Sequence, residues 1–246
     1  ASYFNTSYNY YGNSFMGKDD NPAALYPFDM NSRQNVDVLS FGAAIQSSEN
    51  NSGLLRYLVS AGYKNFKNKY GPMVSDKGIK GGQFDLTADF NTDFGADKVI
   101  GVKGSVMSQS VSDVKFASVL PDAFHSYTNI TGTPYINFIG GSWDVSLGAN
   151  VSALFDLKTK FAISPNLNAS VRFEDVNVLY AKIGGGVNNN TVLDILQENR
   201  YVDLTDRIAY SKTVYDAQIG FKSGVLSGFE FDIFGGYKHT KDEHLY

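Results

Sequence analysis

A strict alternation of apolar and other residues, repeated many times along the chain, is the sequence feature that most constrains its fold. From Phe161 to Phe173 every second residue is apolar or proline, and the residues between them are Ala, Ser, Asn or Arg. From Trp143 to Ala153 apolar residues alternate in the same way with Asp, Ser, Gly and Asn. Successive side chains of a strand point to opposite faces, so each segment predicts a strand with one apolar and one polar face.

The alternation recurs in about eleven segments, most of about ten residues or longer. These are residues 2–12, 35–47, 54–67, 83–91, 98–110, 132–140, 142–153, 161–173, 176–187, 215–222 and 229–238. Every even-numbered connection between them is short, and four of the five odd-numbered connections are long. Such sorting is typical of an up-and-down barrel in a bacterial outer membrane, whereas Greek-key connections in a soluble sandwich do not sort loops in this way.

Alternation by itself fits two environments, because the apolar face can contact either a protein core or lipid. Strand length and loop sorting favour a membrane barrel with apolar residues outward and polar residues inward. Aromatic residues near strand ends, where interfacial girdles form, also favour it: Tyr10, Tyr11, Phe94, Trp143, Phe161, Phe173, Phe229 and Tyr237. A soluble β-sandwich, solenoid or propeller stays open as the alternative.

Composition excludes several classes of function. The chain has no Cys and only 3 His, so we expect no disulfide, no metal centre and no cysteine nucleophile. The net charge of -4 does not favour nucleic acid as a partner. No Ser-His-Asp set is apparent, so we expect no catalytic residues, no cofactor and no enzymatic activity.

Charged residues on the polar faces of the predicted strands are the candidate lumen-facing residues of such a barrel. Isolated charges are costly inside a packed core, so this face is expected to contact water. The set is Asp85, Asp89, Lys103, Asp144, Arg172, Lys182, Asp216, Lys222, Glu230 and Asp232. Acidic pairs such as Asp85 and Asp89 resemble catalytic pairs, but lumen charges that tune solvation and selectivity are the favoured interpretation.

The connection at residues 188–211 contains a candidate short helix. Asn190 or Thr191 is placed to cap it, and Val192, Leu193, Ile195 and Leu196 would form its apolar side. The segment either folds into the lumen or contacts a partner, or it packs against its own barrel, which is the favoured interpretation.

Three glycines and two prolines mark expected irregularities. Gly184-Gly185-Gly186 predicts a strand end where neighbouring chain lies close. Pro134 and Pro165 cannot donate to a strand ladder, so we expect a bulge or strand end at each.

Short phrases from Thr133 onward give the chain a family resemblance. They are residues 133–138, 143–148, 164–167 and 197–202, together with the hairpin from Tyr215 to Tyr237. On these segments the chain resembles the TonB-dependent-receptor-like or porin-like outer-membrane barrels of Bacteroidota-type bacteria. The resemblance implies an outer-membrane location and transport, and it carries over no functional residues.

The sequence therefore predicts an all-β, antiparallel, up-and-down transmembrane β-barrel over residues 1–246, with about eleven strands. We expect this single domain to be part of a larger barrel, since bacterial single-chain barrels have even strand numbers. The expected function is passage or uptake of small polar solutes through the lumen. The alternative is a structural or accessory barrel subunit of a larger outer-membrane complex. Expected partners are outer-membrane lipid and outer-membrane or periplasmic proteins.

Overall fold

Eleven antiparallel strands form one sheet in consecutive chain order, from β1 to β11. In this computed structural model the described residues are 1–9, 33–48, 55–69, 79–112, 126–174, 176–198, 210–226 and 229–243. The strands are β1 (Ser2–Asn9), β2 (Arg33–Gln46), β3 (Arg56–Asn68), β4 (Lys80–Asp93), β5 (Lys98–Ser112), β6 (Tyr127–Ile139), β7 (Trp143–Phe155), β8 (Thr159–Phe173), β9 (Asn177–Asn188), β10 (Ser211–Leu226) and β11 (Phe229–Lys241). One helix in the described ranges, α1 (Val192–Glu198), lies between β9 and β10.

These strands confirm the predicted all-β antiparallel sheet, but several are longer than predicted. β10 runs from Ser211 to Leu226, although only residues 215–222 were predicted. β6 begins at Tyr127, five residues before the predicted start, because pairing with β5 continues to Tyr127 opposite Gln109. The apolar contrast in residues 127–131 is weak, so alternation alone did not reveal this extension.

The sheet formed by the described strands is open and is not closed into a barrel. Among the described strands, β1 pairs only with β2, and β11 pairs only with β10. β1 is also short, and it pairs with β2 from Arg33 to Ser40 while Phe41–Gln46 lie beyond it. The described strands therefore do not close into a ring.

Register fixes the two faces of the sheet. The polar face contains the row Asp89, Lys103 and Thr133, which lie directly opposite one another on β4, β5 and β6. The apolar face contains the row Phe41, Tyr63 and Phe84, opposite one another on β2, β3 and β4. We call the edge that holds residues 94–97, 140–142, 174 and 176 the turn edge. The opposite edge, where β9 leads into α1, is the loop edge.

The sheet curves so that its polar face is concave. α1 directly follows β9, yet the Val192 amide donates a 2.7 Å hydrogen bond to Gln109 Oε1 of β5. The apolar side chains of the helix also belong to a buried cluster that includes Tyr8 of β1. β1 and β9 would be about 38 Å apart in a flat sheet with strands spaced by about 4.8 Å. A seven-residue helix is about 10 Å long, so only a curved sheet permits these contacts.

The small apolar core lies at the loop edge of the concave face. There the α1 side chains Val192, Leu193, Ile195 and Leu196 are buried. They form one cluster with Tyr8, Val36, Val38, Phe66 and Ile79. The predicted helix is thus confirmed, and its apolar side packs against its own sheet. In the described ranges no helix has the length and hydrophobicity needed to cross a membrane.

At the predicted glycine run the end of β9 separates from β8, while it stays paired with β10. β8 and β9 pair only from Leu167 opposite Ile183 to the turn edge, so the last residues of β9 have separated from β8. A Cβ on Gly185 would lie 2.9 Å from both the Ser164 Cβ and the Thr213 carbonyl oxygen. Gly186 has a φ of 145°, a conformation that side chains disfavour. This close approach confirms the prediction of crowding.

Both prolines lie where the ladder on one side is interrupted. Pro165 is opposite Ala149 of β7, in the part of β8 from which β9 has separated. Pro134 is opposite Val102 of β5, and the β6–β7 ladder skips Thr133 and Pro134 without a change of register. The prolines therefore lie within strands rather than at the bulges or strand ends expected from sequence. At each interruption the missing ladder bond would require a backbone N–H donor, which proline lacks.

Candidate functional site

All ten predicted charged residues lie on the polar, concave face by register. By strand they are Asp85 and Asp89 on β4, Lys103 on β5, Asp144 on β7, Arg172 on β8, Lys182 on β9, Asp216 and Lys222 on β10, and Glu230 and Asp232 on β11. The structure brings four of them into ion pairs. Lys103 lies 3.7 Å from Asp89, and Lys222 lies 3.5 Å from Asp232. The others are distributed along the face.

The first ion pair belongs to a cluster on β4, β5 and β6. Tyr135 of β6 reaches across β5 and donates a 2.8 Å hydrogen bond to Asp89 Oδ1. Its ring lies over Gly101, where a Cβ would be 2.5 Å from the ring and hydroxyl. Lys103 Nζ is 5.3 Å from the centroid of the same ring. The tyrosine is thus held by a carboxylate at its hydroxyl and by a cation at its ring.

A second cluster repeats this arrangement on β9, β10 and β11. Tyr180 of β9 crosses Gly220 of β10 and donates a 2.9 Å hydrogen bond to Asp232 Oδ1 of β11. Lys182 and Lys222 lie 5.2 and 5.5 Å from its ring centroid. Two distant parts of the polar face are therefore built from the same four residue types, namely tyrosine, glycine, aspartate and lysine.

Sequence reasoning missed both tyrosines as members of the site. Their partners lie two strands away, and such contacts depend on register, which alternation does not provide. A local signal was present: Gly101 and Lys103, and likewise Gly220 and Lys222, form Gly-x-Lys in the crossed strands. Glycine leaves room for the ring, and lysine two residues later covers it.

A cavity of about 490 Å³ opens on the concave face beside the last residues of β9, which have separated from β8. We call these residues the inturned end of β9. Its charged lining is the Asp89–Lys103 pair, which contributes both signs. Its other polar lining is Thr87, Ser105, Asn129, Thr131, Thr133, Asn150 and Asn189. The volume falls in the range of about 300–1,000 Å³ that is common for small-molecule sites.

Amide side chains hold the inturned end of β9 against the sheet. Thr133 donates a 2.7 Å hydrogen bond to Asn150 Oδ1, and Asn150 Nδ2 donates one of 2.7 Å to the Gly185 carbonyl. Asn129 Nδ2 donates a 2.9 Å bond to Asn189 Oδ1. Asn129 is nearly fully buried, and its Oδ1 has no hydrogen-bond partner. These uncharged polar residues were not identified from sequence, because they do not stand out among many Asn and Thr.

α1 covers the concave face at the loop edge. Thr191 caps it, since its Oγ1 accepts a 3.1 Å hydrogen bond from the Asp194 amide and donates one of 2.6 Å to Asp194 Oδ2. Tyr127 donates a further hydrogen bond of 3.2 Å to the Asn190 carbonyl. The helix therefore reduces the exposed part of the polar face at its loop edge.

A further cavity of about 400 Å³ lies toward the turn edge. It contacts polar side chains of β6 to β9, among them Asn137, Asp144, Asn168 and Lys182. The polar face thus offers hydroxyl, amide and charged groups from β11 to β4. In the described part of the chain, no group of three or more His, Asp or Glu side chains is arranged to hold a metal ion.

The opposite face exposes apolar and aromatic side chains to the surroundings. Phe161 and Ile163 of β8 are 76% and 72% exposed. Two aromatic residues lie six positions apart on each of four strands: Tyr57 and Tyr63, Phe84 and Phe90, Tyr215 and Phe221, and Phe231 and Tyr237. They form one row near each edge, about 20 Å apart along a strand.

The predicted end-of-strand aromatics largely follow this layout. Trp143 begins β7, Phe173 ends β8 and Phe229 begins β11, all at the turn edge. Phe94 directly follows β4 at the same edge. The other two in described strands, Phe161 and Tyr237, lie nearer the loop edge, whereas Tyr10 and Tyr11 lie outside the described residues.

In comparisons with known proteins, no family model, curated protein or solved structure matches this chain.

Proposed function

We propose that this chain forms the wall of a β-barrel in the bacterial outer membrane and that small polar solutes pass along its concave face. The observation that carries the proposal is the separation of the two faces. One presents the ten charged residues together with amides and hydroxyls, and the other presents exposed aromatic and aliphatic side chains.

The apolar face supports a lipid environment on physical grounds. Every apolar-face residue of β7, from Trp143 to Phe155, is uncharged. Twelve residue steps extend about 40 Å along a strand, or about 29 Å at a tilt of 45°, which matches a hydrocarbon core of about 30 Å. Monomeric soluble proteins rarely expose apolar patches beyond a few hundred Å². Lipid contact removes this face from water.

The open sheet adds a requirement to the proposal. Unpaired backbone groups at a lipid-exposed edge cost several kcal/mol each. The outer edges of β1 and β11, and Phe41–Gln46 of β2, would therefore pair with further strands in the membrane. Outer-membrane lipid would be the first partner of the chain, in line with its resemblance to Bacteroidota-type barrels.

The polar face supports passage of small solutes rather than catalysis. The Asp89–Lys103 pair and the amides around it offer both charge signs and neutral hydrogen bonds within one cavity. A lumen with charges of mixed sign is expected to show weak ion selectivity. α1 narrows the route at the loop edge, so the passage is expected to admit small solutes only.

Single-channel recording in a planar lipid bilayer tests the proposal. We expect discrete, reproducible conductance steps with a reversal potential near zero in a salt gradient. The Leu193→Ala variant, which loosens α1, is expected to increase the step size, and Gln197→Ala, on the exposed side of α1, is the matched control. Failure to insert would contradict the proposal and favour a soluble β protein. Strong preference for anions or cations would contradict the mixed-lumen argument.

A second candidate is an accessory subunit of a larger outer-membrane assembly. The unpaired edges of β1 and β11 favour it, because each can accept a strand from another chain. Under this alternative the protein inserts but stays electrically silent, and it co-purifies with a stoichiometric partner in mild detergent.

A further inference from the structure

Two residues of opposite charge line the cavity of about 400 Å³ that lies toward the turn edge. Asp144 comes from β7 and Lys182 comes from β9, with β8 between them. None of the ion pairs among the described residues includes Asp144 or Lys182. Within the described chain, this cavity therefore presents one carboxylate and one ammonium group that do not neutralise each other.

The surface between the two charges is polar and uncharged. Ser146, Asn168 and Ser170 line it, and in the described part of the chain their side chains form no hydrogen bond. The larger cavity differs, because its two charges pair with each other and its amides bind one another or the β9 backbone. The polar groups of the smaller cavity are therefore available to a solute.

Register gives the distance between the two charged residues. Ser170 of β8 lies directly opposite Asp144, and Asn168 lies directly opposite Lys182. Asp144 and Lys182 are thus two strands and two residues apart, which places their Cα atoms about 12 Å from each other. Side chains stand roughly perpendicular to a sheet, so the two charges are separated by a similar distance.

Neighbouring side chains position Lys182 without neutralising it. Its ammonium nitrogen lies 5.2 Å from the centroid of the Tyr180 ring, which attracts the cation but carries no charge. Lys222 belongs to the ion pair of the second cluster. Arg172 of β8 is the nearest other charge to Asp144 by register, but it does not line the cavity and forms no ion pair with described residues.

We infer that this cavity binds a zwitterionic solute of dipeptide length, with the ammonium group of the solute at Asp144 and its carboxylate at Lys182. The inference rests on the proposed function, because it names the class of polar solute that would pass along the concave face. An extended dipeptide is about 7 Å long, and a charge-assisted contact at each end adds about 2.8 Å, so the span is about 12 Å. A solute with a single charge would leave one group of the site unmatched.

Isothermal titration calorimetry of the full chain in detergent, with dialanine as the probe, tests the inference. N-acetyl-dialanine lacks the ammonium charge, and dialanine amide lacks the carboxylate charge. We expect dialanine to bind, and each blocked derivative to bind at least about fivefold more weakly, because each loses one charge-assisted hydrogen bond.

Two variants assign the charges to the two ends of the solute. Lys182→Gln is expected to weaken the binding of dialanine about fivefold and to leave the binding of dialanine amide unchanged, because the amide has no carboxylate to lose. Asp144→Asn is expected to behave in the same way with N-acetyl-dialanine. Lys238→Gln, on the polar face of β11 and outside the cavity lining, is the matched control and is expected to leave dialanine binding unchanged. Equal weakening of dialanine and its amide by Lys182→Gln would overturn the assignment.

The remaining outcomes separate this inference from the proposed function. Binding of glucose as tightly as dialanine would overturn the inference, because the cavity would then recognise neutral hydroxyl groups. A protein that gives conductance steps but does not bind dialanine would overturn the inference alone and leave the proposed function standing. A protein that binds dialanine in detergent but does not insert into bilayers would support the site and overturn the proposed passage.

Discussion

The Tyr135 cluster offers a sharp test of the structure through two glycines of one strand. A Cβ at Gly101 would lie 2.5 Å from the Tyr135 ring and 2.8 Å from Asn91 Cβ, whereas a Cβ at Gly104 meets no atom within 4 Å. Both residues lie within β5 and are paired on both sides. Gly101→Ala and Gly104→Ala therefore make the same chemical change in two different environments.

The expected difference follows from the displaced ring. Ordinary contact needs about 3.4 Å or more between carbons, so the Tyr135 ring must move by about 1 Å. A shift of that size breaks the 2.8 Å hydrogen bond to Asp89. Losing a hydrogen bond to a charged group costs about 1.5–3 kcal/mol. The general gain of Ala over Gly in a strand, about 0.5–1 kcal/mol, is common to both variants and cancels.

Equilibrium urea unfolding, followed by the fluorescence of Trp143, measures this difference. We expect Gly101→Ala to be less stable than Gly104→Ala by about 1.5–3 kcal/mol. In a Tyr135→Ala background the gap is expected to shrink, since the ring and its hydrogen bond are already absent. Equal stability of the two single variants would refute the placement of Tyr135 across β5.

Three further changes test the helix and the apolar face. Leu193→Ala removes a side chain that is 1% exposed in the α1 core and is expected to cost about 2–5 kcal/mol in urea unfolding. Thr191→Ala removes the cap of α1 and is expected to cost about 1 kcal/mol in the same assay. Leu147→Arg on the apolar face is expected to destabilise the vesicle-inserted protein by about 2–4 kcal/mol, and Ser146→Arg on the polar face by much less. Equal costs at positions 146 and 147 would contradict lipid contact at the apolar face.

Much of the fold could be predicted from local sequence because a strand encodes its two faces residue by residue. From Phe161 to Phe173 the alternation specifies which side chains share a face, and the register then places neighbouring strands in phase. α1 could also be predicted locally, from Thr191 and four apolar residues at helical spacing.

Other features depend on contacts that local sequence does not encode. The inturned end of β9 depends on Gly185 fitting against Ser164 and Thr213, which come from strands on either side of β9. The reach of Tyr180 to Asp232 depends on the register of three strands. Whether an edge strand is paired depends on what lies beside it, which alternation does not encode. Only the odd number of predicted strands pointed to an incomplete barrel.

The central claim, that the apolar face contacts lipid and the concave face contacts water, can be tested directly because the chain has no Cys. Single cysteines placed in turn from Asp144 to Ala153 of β7 would carry a spin label in the vesicle-inserted protein. We predict that collisions with oxygen, which concentrates in lipid, peak at odd positions. Collisions with a water-soluble nickel complex should peak at even positions. Accessibility without a two-residue period, or with the opposite phase, would contradict the claim.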